Sequence, residues 1–236
     1  MLTKILLIGT ALAIIATSAA RAADIEVPVG YDWSGAYAGL HAGYGWGHTE
    51  GTGDGTWNGT PGVTGDEFNA SVDGFVGGGQ IGYNFQFDNI VTGVEGDLGY
   101  LGVEGRDLSN LDTDTRLRTA GGLYGTLRGR LGFAADNMLF YATGGLIFAD
   151  LGSEVYHDSP GVSLRSDDTG TRLGWTAGGG IEWAFSDEWS FKAEYLYYDL
   201  GSETVRGERT PSFGVTYPFE VENTGNIARA GVNFHF

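Results

Sequence analysis

The sequence predicts an all-β fold, an eight-stranded antiparallel up-and-down transmembrane β-barrel, on three observations. Apolar and polar side chains alternate through eight segments, as they do when successive side chains of a strand point to opposite faces. The connections between these segments are alternately short and long. Glycine contributes 42 of 236 residues and aromatic residues 13 % of the chain, which favours a membrane barrel over a disordered chain.

Each predicted strand exceeds the ~9–11 residues that a tilted strand needs to cross the hydrocarbon core. The strands are Trp33–Gly47, Ser71–Phe87, Ile90–Glu104, Leu117–Phe133, Met138–Gly152, Arg172–Phe185, Trp189–Leu200 and Thr224–Phe236. In the last of these, Ala228, Ala230, Val232, Phe234 and Phe236 share one parity. A chain that ends within such a strand leaves an edge that needs a partner, and a closed barrel supplies one.

The connections differ in length on the two sides of the predicted barrel. The short ones, rich in residues that reverse a chain easily, are Asp88-Asn89, Ala134–Asn137 and Ser186–Glu188. The long and polar ones are His48–Ala70, Gly105–Arg116, Ser153–Thr171 and Gly201–Asn223. This asymmetry is typical of outer-membrane barrels, in which the short turns face the periplasm. We therefore expect both termini to lie in the periplasm.

The N-terminus has the pattern of a secretory signal peptide. Lys4 precedes the apolar run Ile5–Ile15, and Ala20-Arg21-Ala22 forms a small-residue cleavage site. The predicted organisation is a cleaved signal peptide at residues 1–22, a short periplasmic segment at residues 23–32, and the barrel at residues 33–236. No later stretch is long and apolar enough for a transmembrane helix.

The charged positions of the strands fall on the face opposite the apolar one. A soluble lipocalin-like barrel would solvate these charges, whereas a membrane barrel turns them inward; the signal peptide and the loop asymmetry favour the membrane barrel. Glu95 and Asp97 should then meet Arg128 and Arg130 on the next strand. The whole predicted lumen network is Glu95, Asp97, Arg118, Arg128, Arg130, Glu182, Lys192, Glu194 and Arg229. Because the signs nearly balance, we expect these pairs to close the lumen.

Aromatic residues near the strand ends indicate girdles at the two membrane interfaces. These residues are Trp33, Tyr44, Trp46, Tyr100, Trp175, Trp183 and Trp189.

Composition and motifs exclude several functions. The net charge of −17 argues against nucleic acid as a partner, and the absence of cysteine excludes thiol nucleophiles and cysteine-based metal sites. Gly77–Gly82 matches a dinucleotide motif formally, but it lies inside a predicted strand. His157-Asp158-Ser159 is a weak catalytic candidate, because a catalytic set normally converges from separate segments. We therefore predict no enzyme, no catalytic residues, no cofactor and no metal site.

Several stretches resemble the small outer-membrane β-barrel proteins of alphaproteobacteria, the "porin family". They include YDWSGAYAGLHAGYGWG (residues 31–47), GGGQIGYNFQF (77–87), LRGRLGF (127–133), LFYATGGLIFAD (139–150), GWTAGGGIEWAFSDEWSFKAEYLYYDLG (174–201) and ARAGVNFHF (228–236). This family is similar in turn to 25- and 31-kilodalton surface antigens and to hemin-binding outer-membrane proteins. The resemblance implies an integral protein of the Gram-negative cell envelope, with Phe234 and Phe236 as the signal for the outer-membrane assembly machinery.

The predicted function is that of a non-enzymatic integral outer-membrane barrel with a structural, envelope-integrity and surface-antigen role. Expected partners are outer-membrane lipid and lipopolysaccharide, with host or phage contacts through the loops. A narrow passive-diffusion porin and a hemin-binding surface receptor are alternatives. The candidate hemin ligands are His41 and His235, expected to point inward near opposite ends of neighbouring strands, and His48 and His157, expected in loops.

Overall fold

A computed structural model describes the backbone at residues 30–54, 64–108, 115–159, 162–210 and 216–236, and side chains at 30–50, 71–105, 121–150, 170–202 and 222–236. The predicted signal peptide therefore lies outside the described residues. The eight strands are β1 (Gly35–Asp54), β2 (Thr64–Phe87), β3 (Ile90–Leu108), β4 (Thr115–Ala135), β5 (Met138–Ser159), β6 (Val162–Ala184), β7 (Trp189–Thr210) and β8 (Thr216–His235). No helix in this part of the chain is long and apolar enough to cross a membrane.

The strands form one closed barrel in chain order. Each strand pairs antiparallel with its neighbours, and β1 closes the barrel against β8, with Tyr37 opposite His235. Closure gives every strand two partners, which leaves no edge to template aggregation. The predicted eight-stranded antiparallel barrel is confirmed.

The strands begin and end within two residues of their predicted bounds on the short-turn side but extend beyond them on the other side. β7, for example, continues to Thr210 instead of ending at Leu200. The assignment of His48 and His157 to loops was therefore wrong, because they lie in β1 and β5. Hydropathy marks only the part of a strand that crosses the membrane, whereas the backbone ladder continues through polar residues.

Two of the short turns make the same pair of hydrogen bonds to the neighbouring hairpin. Asp88 and Asp136 each have φ of 53°, a left-handed conformation that Asp tolerates better than most residues. The following residue, Asn89 or Asn137, donates through its side-chain amide to a carbonyl of the next hairpin, at 2.8 and 3.1 Å. The backbone N–H of that same partner residue bonds back to the Asn carbonyl at 2.8 and 2.9 Å. These bonds link the three short turns in series at this end of the barrel.

The outer wall of the described barrel is apolar and carries aromatic residues in two belts. Phe75 and Phe85 lie ten residues apart on β2 and are 60 % and 51 % exposed. At ~3.3 Å per residue and a tilt of ~40°, the belts are separated by ~25 Å, the height of the apolar band of an outer-membrane barrel. Trp33 does not belong to either belt. It is wholly buried inside the barrel, because the chain before β1 folds across the mouth of the lumen.

The inside of the barrel is layered. At the short-turn end, a first apolar cluster consists of Trp33, Val91, Ala134, Leu139, Tyr141 and Ala184. Further up, a second apolar cluster consists of Val72, Val76, Leu101, Val103, Tyr124, Ile147, Ala149, Leu196, Tyr198, Leu200 and Ile227. Buried charged side chains lie between these two clusters.

Candidate functional site in the barrel lumen

Eight charged side chains occupy the middle of the lumen, and we call them the charge cluster. Its carboxylates are Glu95, Asp97, Glu182 and Glu194, and its cations are Arg128, Arg130, Lys192 and Arg229. Each is at most 5 % exposed, and the four negative charges balance the four positive ones. They come from β3, β4, β6, β7 and β8, because an inward position recurs at every second residue of a strand. A buried charge is tolerated only when it is paired and hydrogen-bonded.

Arg128 is the centre of the charge cluster. It lies opposite Glu95 in the β3–β4 ladder and contacts that carboxylate directly. Its guanidinium also donates to Asp97 Oδ2 at 2.9 Å and to Glu194 Oε1 at 3.1 Å. One cation therefore binds three carboxylates from two strands on opposite sides of the lumen, an arrangement that suits the planar, five-donor guanidinium.

Arg130 does not meet Glu95 or Asp97 as the sequence suggested. It donates to Glu182 Oε2 at 2.7 Å and to the Tyr37 hydroxyl at 3.1 Å, and its guanidinium stacks 4.0 Å from the centre of the Tyr141 ring. The residue opposite Arg130 in β3 is Gly93, so no side chain holds the guanidinium at that strand. The long side chain instead reaches across the lumen to β6.

The other two cations complete the pairing. Lys192 Nζ lies 3.0 and 2.9 Å from the two oxygens of Glu95. Arg229 donates to Glu194 Oε2 at 2.7 Å through Nε and to Asp97 Oδ2 at 3.1 Å through Nη2. Every acid of the charge cluster thus contacts at least one of its four cations.

Arg118 is the one member of the predicted network that cannot be placed, because its side chain lies outside the described residues. A register shift between Gly121 and Tyr124 adds a residue to β4 relative to β5. Such a bulge reverses the alternation beyond it. The alternation of inward and outward side chains, on which the inward assignment of Arg118 was based, is therefore interrupted between Tyr124 and Arg118.

A chain of hydrogen bonds links two members of the charge cluster through uncharged side chains. It runs from Arg229 Nη1 to Tyr124 Oη (3.3 Å), from Tyr124 to His41 Nε2 (2.8 Å), and from His41 Nδ1 to Gln80 Oε1 (3.0 Å). From Gln80 it continues to Asn233 at 2.5 Å and from Asn233 to Glu182 at 2.6 Å. A guanidinium only donates and a carboxylate only accepts, so the direction of every bond is set. His41 must carry a proton on Nδ1 and accept at Nε2.

The candidate hemin ligands are not brought together. His41 is buried with both ring nitrogens engaged, and His235 lies four register positions from it along the paired strands β1 and β8. The His48 side chain is exposed on the outer wall, and the His157 side chain is outside the described residues. Among the described residues, no group of three or more His, Asp or Glu side chains could hold a metal ion.

Phe234 and Phe236, the predicted assembly signal, are neighbours on the outer wall at the short-turn end. Their ring centroids are 5.1 Å apart, and Phe234 packs edge-on against Trp189 at 5.2 Å. Phe236 is 80 % exposed, so it contributes little to the packing of the folded barrel itself.

The uncharged partners of the charge cluster were missed by reasoning from the sequence. Tyr37 links Arg130 to Glu95, and Ser190 donates to Glu182 at 2.6 Å. The parity of each strand already places both residues on the inward face. The contacts of Tyr37 cross between strands that are far apart in the chain, and the Ser190–Glu182 contact joins two neighbouring strands; the alternation reveals neither pairing.

Comparison with known proteins agrees with this architecture. A family profile described as "Outer membrane protein beta-barrel domain" matches residues 9–219. The chain belongs to this family. It is 34 % identical over 215 residues to the 31 kDa outer-membrane immunogenic protein of Brucella melitensis biotype 1, covering 86 % of this chain and 89 % of that protein. It is 32 % identical over 207 residues to the 25 kDa outer-membrane immunogenic protein of the same organism, covering 84 % of both.

A solved structure shows the same fold. The crystal structure of OprG from Pseudomonas aeruginosa superposes with a TM-score of 0.55 at 15 % identity, covering 88 % of this chain and 99 % of that one. The protein is therefore an integral outer-membrane barrel of a Gram-negative envelope, embedded in lipid, with relatives named as outer-membrane immunogenic proteins. The resemblance seen in the sequence is confirmed.

Proposed function

We propose that this protein is a non-enzymatic envelope barrel whose lumen is closed by its charge cluster and whose outer connections present a surface to the cell exterior. The observation that carries the proposal is the balance of charge within the charge cluster. Its four acids and four bases are buried and contact one another, and an apolar cluster lies on either side; Arg172 of β6 is a further buried cation outside this cluster. An ion entering this lumen would have to break several buried pairs at once, and removing even one partner from such a pair is strongly unfavourable.

The proposed envelope role follows from the way apolar and polar surface is distributed along the outside of the barrel. An apolar wall between two aromatic belts anchors the protein, and the strands continue past the belt that lies away from the short turns, β7 for example as far as Thr210. We propose that the mature protein begins after residue 22, that both termini lie in the periplasm, and that the assembly machinery reads Phe234 and Phe236. The outer connections would then face lipopolysaccharide, host cells or phage. The names of two relatives, which call them outer-membrane immunogenic proteins, support this exposure.

The closed lumen is tested by single-channel conductance of the refolded protein in a planar bilayer. We expect no conductance steps at 0.15 M or at 1 M salt, because buried pairs are screened far less than exposed ones. Heat-modifiability on gels establishes that the same sample holds a folded barrel, and a general porin serves as the positive control. Stable, reproducible steps would contradict the closed lumen and support a narrow passive-diffusion porin.

A hemin-binding receptor is the remaining alternative, and absorbance spectroscopy tests it separately. A Soret shift that disappears on replacing one of His41, His48, His157 or His235 would support it. The engagement of both His41 nitrogens argues against that residue as an axial ligand.

The orientation is tested with single cysteines, since the chain has none of its own. We expect a membrane-impermeant maleimide to label Asp112→Cys, in the second long connection, on intact cells. Glu188→Cys, in the turn between β6 and β7, should react only after the outer membrane is permeabilised. Equal labelling of both variants after permeabilisation is the control. The reverse pattern on intact cells would place the short turns outside.

A further inference from the structure

Asn84 is a buried amide to which no protein group among the described residues bonds. It lies on the inward face of β2 and is 0 % exposed. Neither its Oδ1 nor its Nδ2 has a protein partner. Exchanging the two atoms by a half-turn of the amide changes nothing, because both are in the same situation. Burial of an amide without hydrogen bonds is costly, so Asn84 indicates a partner that is not part of the protein.

Asn233 shows how the same side chain is satisfied elsewhere in the lumen. It lies on β8 and is also 0 % exposed. Its Nδ2 donates to Glu182 Oε1 at 2.6 Å, and its Oδ1 accepts from Gln80 Nε2 at 2.5 Å. Two asparagines with the same burial therefore differ in whether protein groups reach their amides, and burial alone does not explain the state of Asn84.

The Asn84 amide lies over a position of the inner wall that has no side chain. Its neighbour in the β2–β3 ladder is Gly93, where an added Cβ would overlap Asn84 Oδ1. The residue opposite Gly93 in the β3–β4 ladder is Arg130. The backbones of β2 and β4 are two strand spacings apart, ~9–10 Å. Asn84 and the first part of the Arg130 side chain therefore border the same space, one on either side of Gly93.

Arg130 brings a second buried group to this space. Its terminal nitrogens are engaged, Nη2 with Glu182 at 2.7 Å and Nη1 with the Tyr37 hydroxyl at 3.1 Å. Its Nε, in contrast, bonds to no protein group in the described part of the chain. Arg130 Nε is a donor and Asn84 Oδ1 is an acceptor, yet no direct bond joins them. A small molecule that both accepts and donates can link the two.

Trp33 borders the space on the side of the short-turn mouth. Its backbone N–H donates at 2.8 Å to Gln86 Oε1, two residues from Asn84 on the same face of β2. Its ring belongs to the first apolar cluster together with Val91, two residues from Gly93 on the same face of β3. The indole Nε1–H is buried, and it too has no protein partner among the described residues. It is a third polar group in this sector of the lumen.

We propose that the lumen binds an ordered water molecule over Gly93, held by the Asn84 amide, Arg130 Nε and the Trp33 indole. Water accepts from the two N–H donors and donates to Asn84 Oδ1, and about three hydrogen bonds are typical of a buried water. An anion would suit the donors but not the amide oxygen. The bound water ties the charge cluster to β2, a strand that contributes none of its eight charged side chains.

Magnetisation transfer from water, measured by NMR on the refolded, isotope-labelled barrel, tests this proposal. We expect cross-peaks from water to the Asn84 side-chain NH2 and the Trp33 indole N–H, with opposite signs in NOESY and ROESY spectra. Opposite signs identify a bound water, whereas proton exchange gives the same sign in both. The Asn233 NH2 is the matched control in the same sample and should show no such cross-peak. Equal cross-peaks at Asn84 and Asn233 would mean a generally hydrated lumen and would contradict both this site and the closed lumen.

Asn84→Leu removes the amide while retaining an inward side chain. We expect the water cross-peak of the Trp33 indole to be lost in this variant and to persist in Asn223→Leu, which changes a buried asparagine near the other end of the lumen. Absence of the cross-peaks from the parent protein, or persistence of the indole cross-peak in Asn84→Leu, would overturn the proposal. Heat-modifiability verifies that each variant is folded, and if Asn84→Leu does not fold, the spectra of the parent protein decide alone.

Discussion

Replacing Arg128 with methionine is expected to lower the free energy of unfolding of the barrel by about 3–5 kcal/mol, the cost of leaving buried charges without their partner. Arg128 binds Glu95, Asp97 and Glu194, and methionine fills much of its volume without any donor. Arg130→Met should cost a similar amount, because Glu182 contacts no other cation of the charge cluster, whereas the three acids bound by Arg128 each keep Lys192 or Arg229. Urea titration of the refolded protein, followed by tryptophan fluorescence, measures both.

Two controls separate this effect from a change in net charge. Glu188→Lys changes the charge by two units at an exposed turn and should leave the unfolding midpoint almost unchanged. Adding Asp97→Asn to Arg128→Met removes the negative charge that Arg128 no longer balances and should recover part of the loss, with a coupling of about 0.5–3 kcal/mol. If Arg128→Met unfolds at the same urea concentration as Glu188→Lys, the charge cluster does not stabilise the barrel.

Gly145→Ala is expected to destabilise the barrel by about 3 kcal/mol or to prevent its folding, at the upper end of overpacking costs. Gly145 faces the lumen opposite Arg128 in the β4–β5 ladder. A Cβ there would overlap the carbonyl oxygen of Leu127 and come within 2.7 Å of the Arg128 Cα. Both obstacles are backbone atoms of the next strand, so no change of rotamer relieves the overlap. Gel mobility before and after heating reports the folded fraction.

The neighbouring residue provides a matched control. Gly144 points to the outer wall, where a Cβ would approach only the Thr176 carbonyl, at 3.5 Å. Gly144→Ala should be neutral or stabilising by up to ~1 kcal/mol, because alanine reduces the entropy of the unfolded chain. Equal losses of folded protein in the two variants would mean that β5 has no distinct inner and outer face at this height of the barrel.

β3 and β4 show most clearly how much of this protein's structure can be predicted from its sequence. The alternation of Glu95, Asp97, Arg128 and Arg130 with apolar residues identifies the inward face, because the two-residue period of a strand is a local property. The antiparallel register of adjacent strands then brings Glu95 opposite Arg128. The same pattern fails beyond Gly121, where one extra residue in β4 shifts the register without any clear mark in the sequence.

Trp33 shows a second limit of prediction from the sequence. From its position next to the first strand, this tryptophan is expected in an aromatic belt at the membrane interface. It instead fills the lumen, because residues 30–34 cross the mouth of the barrel and bond to residues that are distant in the chain. Local hydropathy cannot distinguish burial in the protein from burial in lipid, since both environments accept the same apolar side chain.

The sequence by itself determined the number of strands, their direction, the apolar outer wall and the identity of the buried charges, all of which follow from short-range periodicity and turn chemistry. Only the tertiary structure decided which charges pair. Arg130 reaches Glu182 of β6, and Arg229 reaches Asp97 of β3, across the interior of the barrel. These contacts depend on barrel closure and on strand stagger, which bring residues from opposite walls to the same height. No spacing along the chain encodes that height, so the partners emerge only when the barrel closes.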